Sequence, residues 1–294
     1  MLYEYLYLVS AVFLMSVLSL LGTGYNKKNA DKENITPIYN LLLCTAGCIT
    51  WGIIYAFDFS FDPKALLYSL GFGVCYATVI ISLTKALSVG PTSITALIQQ
   101  LSLIGATIWG FAFWNTWDSA KALLVLSGLA LVVLSLVLSL YTGKKIEQKI
   151  TLKWFVYVTI LFVANAGCAI FQKSEQIALN GKHGSMFMFF GVMLSSVVCL
   201  IFFLINKKPY LPELIKSSWV FPLGAGISSA IGNMFVVLLA TTSLSPNLIY
   251  PAIAVGGLAI TSIVSVFLFK EKLAWWQWIG VAVGAVAVTL LSIN

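Results

Sequence analysis

Ala86-Leu87-Ser88-Val89-Gly90-Pro91-Thr92-Ser93-Ile94 and Thr241-Thr242-Ser243-Leu244-Ser245-Pro246-Asn247-Leu248-Ile249 punctuate the chain in the same way. Each closes an apolar run in small residues, turns, and opens the next run with a proline. Proline in the first turn of a helix gives up no hydrogen bond, so it suits that position. Working outward from these two turns, ten apolar stretches lie near 2–24, 38–57, 65–87, 91–114, 120–141, 152–173, 185–205, 218–240, 246–269 and 274–292. Each matches the roughly 20 residues that cross the hydrocarbon of a bilayer. Five precede the polar midpoint and five follow it. Five is odd, so the second set enters the bilayer in the opposite sense to the first. The expected fold is an all-α membrane protein of ten transmembrane helices built as two inverted five-helix repeats. The first repeat covers 1–143, a cytoplasmic linker 144–153, and the inverted repeat 154–294. Such a pair is the usual framework of a carrier with alternating access.

Composition agrees with that fold. Hydrophobic residues make up 60 % of the chain and charged ones 9 %, against roughly 25 % charged in soluble domains. The short connections leave no space for a soluble domain. Glu4 stands where a signal peptide would carry lysine, so the first stretch is expected to remain as a span. The net charge of +7 comes from 17 lysines without an arginine, nearly all at span ends. Lys27, Lys28, Lys32, Lys85, Lys144, Lys145, Lys149, Lys153, Lys207, Lys208, Lys216, Lys270 and Lys272 follow odd-numbered spans. Lys64, Lys121, Lys173 and Lys182 follow even-numbered ones. The positive-inside rule then puts the odd connections in the cytoplasm and both termini outside. The charge sets orientation and does not point to nucleic acid.

The fifth and tenth spans also correspond. Ser127-Gly128 lies in one and Gly280-Val281-Ala282-Val283-Gly284 in the other, a small-residue face on which helix backbones approach closely. That face serves packing within the chain, or the contact of a weak homodimer if the protein is not a monomer. Trp114, Trp117, Trp275, Trp276 and Trp278 read as interfacial anchors.

Over its whole length the chain resembles the drug/metabolite transporter superfamily, in its ten-helix, EamA-type bacterial branch. The resemblance is carried by the five-plus-five arrangement and by the turns at Pro91 and Pro246. It is also carried by Phe267-Leu268-Phe269-Lys270-Glu271-Lys272 ahead of Gly280 and Gly284, and by Asn165-Ala166-Gly167-Cys168-Ala169-Ile170-Phe171-Gln172-Lys173. In the first half Asn115-Thr116-Trp117-Asp118 stands where the family often carries a glutamate, so the halves differ there. The resemblance implies a carrier of small molecules in a bacterial cytoplasmic membrane, working outward. It does not name the cargo.

Polar groups inside spans face a cavity or another helix, because hydrocarbon offers them no partner. The candidate substrate residues are Tyr76 in the third span, Gln99 and Gln100 in the fourth, Asn165 in the sixth, Asn233 in the eighth and the shallower Tyr250 in the ninth. Each could equally serve only to bond a neighbouring helix. Gln99 and Gln100 point about 100° apart, so one of them faces any cavity. Ser16, Ser82, Thr95, Ser102, Ser229, Thr261 and Ser265 are weaker signals, since hydroxyls pack and back-bond readily.

No acidic residue falls near the middle of a span, where a proton-driven antiporter usually needs a carboxylate. Glu4, Glu175 and Glu271 sit at span ends and read as solvated interfacial charge; Glu4 or Glu271 could serve proton coupling only with a cavity that dips to the interface. No arginine and no mid-span lysine offers a clamp for phosphate or carboxylate. Lys85 and Lys173 are the ones that could reach a deep cavity. Aromatic and amide walls suit a neutral, zwitterionic or cationic compound, with Tyr76 and Tyr250 offering cation–π faces. No metal or cofactor is expected: Cys44 and Cys48 lack two further ligands, and Cys75, Cys168 and Cys199 also lie within spans. His183, the single histidine, reads as a solvated loop residue. A secondary carrier is the leading expectation. An enzyme is disfavoured because no nucleophile, base or ligand cluster is present. A non-transporting receptor or assembly partner, an organophosphate or nucleotide-sugar exchanger, and a lipid flippase are the alternatives.

Overall fold

The computed structural model describes residues 2–29, 32, 35–89, 92–114, 122–141, 151–205, 216–269 and 274–292. Pro91, the segment 115–118, most of the 144–153 linker, Lys207, Lys208 and Lys270 to Lys272 lie outside the described residues. The apolar stretches are helices: α1 Leu2–Lys28, α2 Thr36–Phe57, α3 Pro63–Val89, α4 Thr92–Phe113, α5 Ala122–Leu140, α6 Leu152–Ala178, α7 Gly184–Ile205, α8 Val220–Ala240, α9 Pro246–Phe269 and α10 Trp275–Ser292. Among the described residues, eight of them are long and apolar enough to cross a bilayer; α5 and α10 carry the shorter apolar runs Leu123–Ser139 and Trp275–Leu291. Leu6, Val9, Phe13, Ile49, Ile53, Leu67, Val74, Val163, Val197 and Leu204 all point outward. An apolar exterior of this extent needs a membrane to cover it.

Both ends of α6 follow local chemistry. Thr151 caps α6, its Oγ1 accepting from the Trp154 N–H at 3.2 Å. The other end of α6 runs five residues past the apolar stretch, to Ala178. There the Gly181 N–H donates to Gln176 O at 2.8 Å, and Asn180 takes φ +53°. That is a left-handed helix stop, for which asparagine is well suited. The extension carries Glu175 and Gln176 into the bundle, where both are buried, as is Lys173 just before it. Glu4 is buried as well, its Oε1 accepting from Ser243 N–H at 3.2 Å and Ser243 Oγ at 2.9 Å. The reading of Glu4 and Glu175 as solvated interfacial charge is therefore corrected. Hydropathy sees where apolar residues stop, whereas burial of a polar helix face is decided by what packs on it.

Packing is largely antiparallel and rests on small residues. Along α1 and α8, Gly24 lies against Phe221, Gly224 against Leu21, Gly232 against Leu14, and Tyr7 meets Phe235. Along α3 and α6, Gly71 lies against Phe171 and Gly167 against Cys75, while Ala86 clusters with Trp154 and Val158. Along α2 and α7, Cys44 Sγ touches Cys199 Sγ at 3.6 Å, Gly47 meets Val192 and Tyr55 stacks on Phe189. Along α5 and α10, Gly128 lies against Leu291, Ser135 Oγ donates to Gly280 O at 2.7 Å, and Trp276 Nε1 donates to Tyr141 O at 2.8 Å. In addition α2 packs on α8, α3 on α7, α4 on α6 and α1 on α9.

Gly280 and Gly284 are consumed in the α5–α10 contact. A Cβ on Gly280 would stand 2.6 Å from Ser139 N, and one on Gly284 would meet Val255 and Ser135. This face packs within the chain, where Ser135 and Ser139 present backbone and hydroxyls that glycine can approach closely.

Candidate substrate cavity

Helices α2, α3, α7 and α8 line an inner void of about 280 Å³, open space included, formed by Leu43, Cys44, Gly47, Trp51, Phe72, Tyr76, Met188, Val192, Gly226, Ser229, Ala230 and Asn233. It is pinched, with space for about one water molecule. Tyr76 stacks on Phe72 with ring centroids 5.7 Å apart. Asn233 donates its Nδ2 to Ser229 O at 2.9 Å. The chamber thus has aromatic and thioether walls with a carboxamide, two hydroxyls and a thiol as its polar groups.

Next to it lies a wider vestibule of about 900 Å³, including its open mouth. Its apolar lining is Trp51, Ile54, Met234, Val237 and Leu238, and its polar rim is Asp58, Ser60, Lys182, His183 and Ser185. The rim comes from the connections 58–62 and 179–183. Ser185 Oγ donates to Asp58 Oδ2 at 2.8 Å, and His183 Nδ1 lies 2.8 Å from Ser60 Oγ, which ties the two connections together. His183 therefore belongs to a built rim. Its φ of +64° is uncommon for a side-chain-bearing residue, and the Ser60 contact helps hold it.

Trp51 lines both chambers and is buried. It stands between the wide vestibule and the narrow inner void. On the far side of the inner void the bundle is closed. Leu43, Cys44, Cys199 and Ala225 form a buried layer there, packed by Leu18, Leu21, Tyr39 and Ile80. Asn40 Nδ2 adds a 3.2 Å bond to Thr84 Oγ1.

Two of the six polar residues picked from the sequence, Tyr76 and Asn233, meet in the inner void. The other four do not line either chamber. Asn165 donates to Gln99 O at 3.1 Å and to Ser102 Oγ at 2.7 Å, so it staples α6 to α4. Gln99 takes part through its backbone carbonyl, and Gln100 is half-buried on the same helix. Tyr250 is buried and donates its hydroxyl to Ala169 O at 3.1 Å, joining α9 to α6. Lys85 lies within α3 with its Nζ 5.7 Å from the centre of the Phe202 ring, outside both chambers. Trp51, Phe72 and Met188 were missed because an aromatic or thioether in an apolar span carries no polarity to mark it. Among the described residues no cluster of three metal-ligating side chains occurs.

No protein-family model matches the sequence, and no curated protein matches it. Solved structures do resemble it in fold. One, described as the crystal structure of a protein, superposes with a TM-score of 0.73 over 99 % of this chain and 96 % of its own, at 13 % identity. At that identity the likeness shows the fold alone.

Proposed function

We propose that the protein is a secondary carrier of the drug/metabolite transporter type, moving a small neutral, zwitterionic or cationic compound by alternating access, in the outward direction. The observation that carries this reading is the pair of chambers divided by Trp51, open at one end of the bundle and sealed at the other by the Cys44–Cys199 layer.

The inverted ten-span repeat belongs to the same proposal, and the packing supports it. Advancing every helix by five turns the α1–α8 contact into α6–α3, α2–α8 into α7–α3, and α1–α9 into α6–α4. Contacts α2–α7 and α5–α10 map onto themselves, and in both the two helices run antiparallel. Cys44 and Cys199, which touch, have the same spacing in sequence as Pro91 and Pro246. Equivalent residues meeting between antiparallel helices are what a two-fold axis in the membrane plane produces. With the lysine-rich connections in the cytoplasm, the vestibule opens outside.

The test is uptake of labelled amines, amino acids, nucleobases and drugs into proteoliposomes. Replacing Asn233 by leucine removes the carboxamide of the inner void. A buried polar group of the cargo then goes unpaired, which costs about 1–3 kcal/mol, or roughly 5- to 150-fold in apparent affinity. Asn165→Leu is expected to act on stability instead, since its amide holds α4. Full transport with unchanged affinity in Asn233→Leu would remove the inner void from the pathway.

A further inference from the structure

The polar end of α6 holds a carboxyl that the pathway above does not use. Glu175 is fully buried and Gln176 almost so. The Gln176 Nε2–H donates to Glu175 Oε2. The remaining oxygen of each group, Glu175 Oε1 and Gln176 Oε1, is buried and meets no donor among the described residues. Buried acceptors are almost always paired, so two orphans on two groups already joined call for an explanation.

The pair stands directly behind the vestibule wall. Gly181 and Gly184 line the vestibule, and a Cβ on Gly184 would lie 2.9 Å from Gln176 Nε2. A Cβ on Gly181 would lie 4.0 Å from Gln176 Oε1. Only the thickness of a glycine backbone separates the amide from the chamber.

We propose that Glu175, joined to Gln176 behind the vestibule wall, is a proton-binding site that is loaded and emptied through the vestibule and against which the carrier moves its cargo. This rests on the carrier reading for its purpose, though not for its chemistry. Loading forms the Glu175 Oε1–H bond and neutralises the carboxylate. The new hydroxyl donates to Gln176 Oε1 and closes an acid–amide ring with the Nε2–H to Oε2 bond, so one proton satisfies both orphan oxygens. Unloading returns the proton to vestibule water and the negative charge to Glu175.

The charged surroundings are few. Lys173, on the same helix, is turned to the end of α8, where its ammonium donates to Ala240 O. Asp62, just before α3, has its Oδ1 accepting from Lys64 N–H at 2.6 Å and Ala65 N–H at 3.2 Å. Asp58, Lys182 and His183 lie on the vestibule side of the wall. The helices α4, α7 and α8 contain no charged residue.

Infrared difference spectra of the purified protein, taken between acidic and alkaline pH in H₂O and D₂O, test the site without any cargo. A deuterium-sensitive carbonyl band of a neutral carboxylic acid is expected in the native protein and in Glu4→Gln, and its loss in Glu175→Gln. Gln176→Leu keeps the acid but removes its ring partner, so the band should shift. That variant decides the matter should Glu175→Gln fail to give a single chromatographic species. A band absent from the native protein, retained in Glu175→Gln or unmoved in Gln176→Leu overturns the proposal and marks the pair as a structural hydrogen bond. Pyranine trapped in proteoliposomes then reports proton movement as each compound of the uptake screen is added. Cargo moving without protons in the native protein, or with protons in Glu175→Gln, also overturns the proposal and leaves the carrier reading intact. If no compound moves at all, the carrier reading fails while the infrared band still decides the proton site.

Discussion

Joining Cys44 to Cys199 by oxidation is expected to stop transport completely, and a thiol reductant to restore it. The two sulfur atoms are 3.6 Å apart in the layer that closes the inner void on the side away from the vestibule. For cargo to leave by that side, α2 and α7 must separate at this layer. A covalent link between them holds the seal shut, whereas a thiol contact lets it part. The measurement uses a chain in which Cys48, Cys75 and Cys168 are alanine, treated with molecular iodine, which is reduced to iodide as the two thiols lose their hydrogens. Uptake at the untreated rate by fully cross-linked protein would mean that the seal never opens and that the inner void is not on a pathway.

The second large effect concerns assembly. Gly226→Val is expected to abolish the folded protein, read as loss of the monodisperse peak in size-exclusion chromatography. A Cβ at position 226 strikes the Leu43 carbonyl oxygen and lies 2.8 Å from Ala46 Cβ and 3.1 Å from Gly47 N. Overpacking a rigid core costs about 1–3 kcal/mol, and more where the obstacle is backbone that cannot change rotamer. The α2–α8 contact would have to part, and both helices line the inner void. Gly257→Ala is the control. Nothing lies within 4 Å of a Cβ there, so the peak should be unchanged and the melting temperature equal or slightly raised. A stable Gly226→Val protein would show that α2 and α8 are not packed backbone to backbone.

How far the sequence could be read depended on which property was asked for. Helix positions were legible, because a run of about 20 apolar residues has one use. The stretch at 246–269 coincides with α9, Pro246–Phe269. The clearest miss was the end of α6. Gln172-Lys173-Ser174-Glu175-Gln176 looks like a departure into water, yet the helix continues to Ala178 with that polar face turned inward. The site was legible only in part. Tyr76 and Asn233 stand out by polarity and do reach the void, but Asn165 and Tyr250 stand out equally and spend their hydrogen bonds on Gln99, Ser102 and Ala169. What separates the two pairs is the direction each side chain takes around its helix relative to a neighbour, and a single sequence does not contain the neighbour. Trp51 illustrates the converse. Nothing in Thr50-Trp51-Gly52 marks a partition, and its role exists only because two chambers meet at its ring.

Phe61 and Lys216 provide the most direct check on the inverted halves. They occupy equivalent places, spaced as Pro91 and Pro246 are, and both are exposed at the ends of the bundle. Single cysteines introduced as Phe61→Cys and Lys216→Cys into a chain without other cysteines, and labelled in intact cells with a membrane-impermeant maleimide, report the face on which each lies. Labelling of position 61 from outside, with position 216 reached only after permeabilisation, is the predicted result. Labelling of both from one face would mean that the two halves thread the membrane in the same sense, and an inverted-repeat carrier could not be built from them.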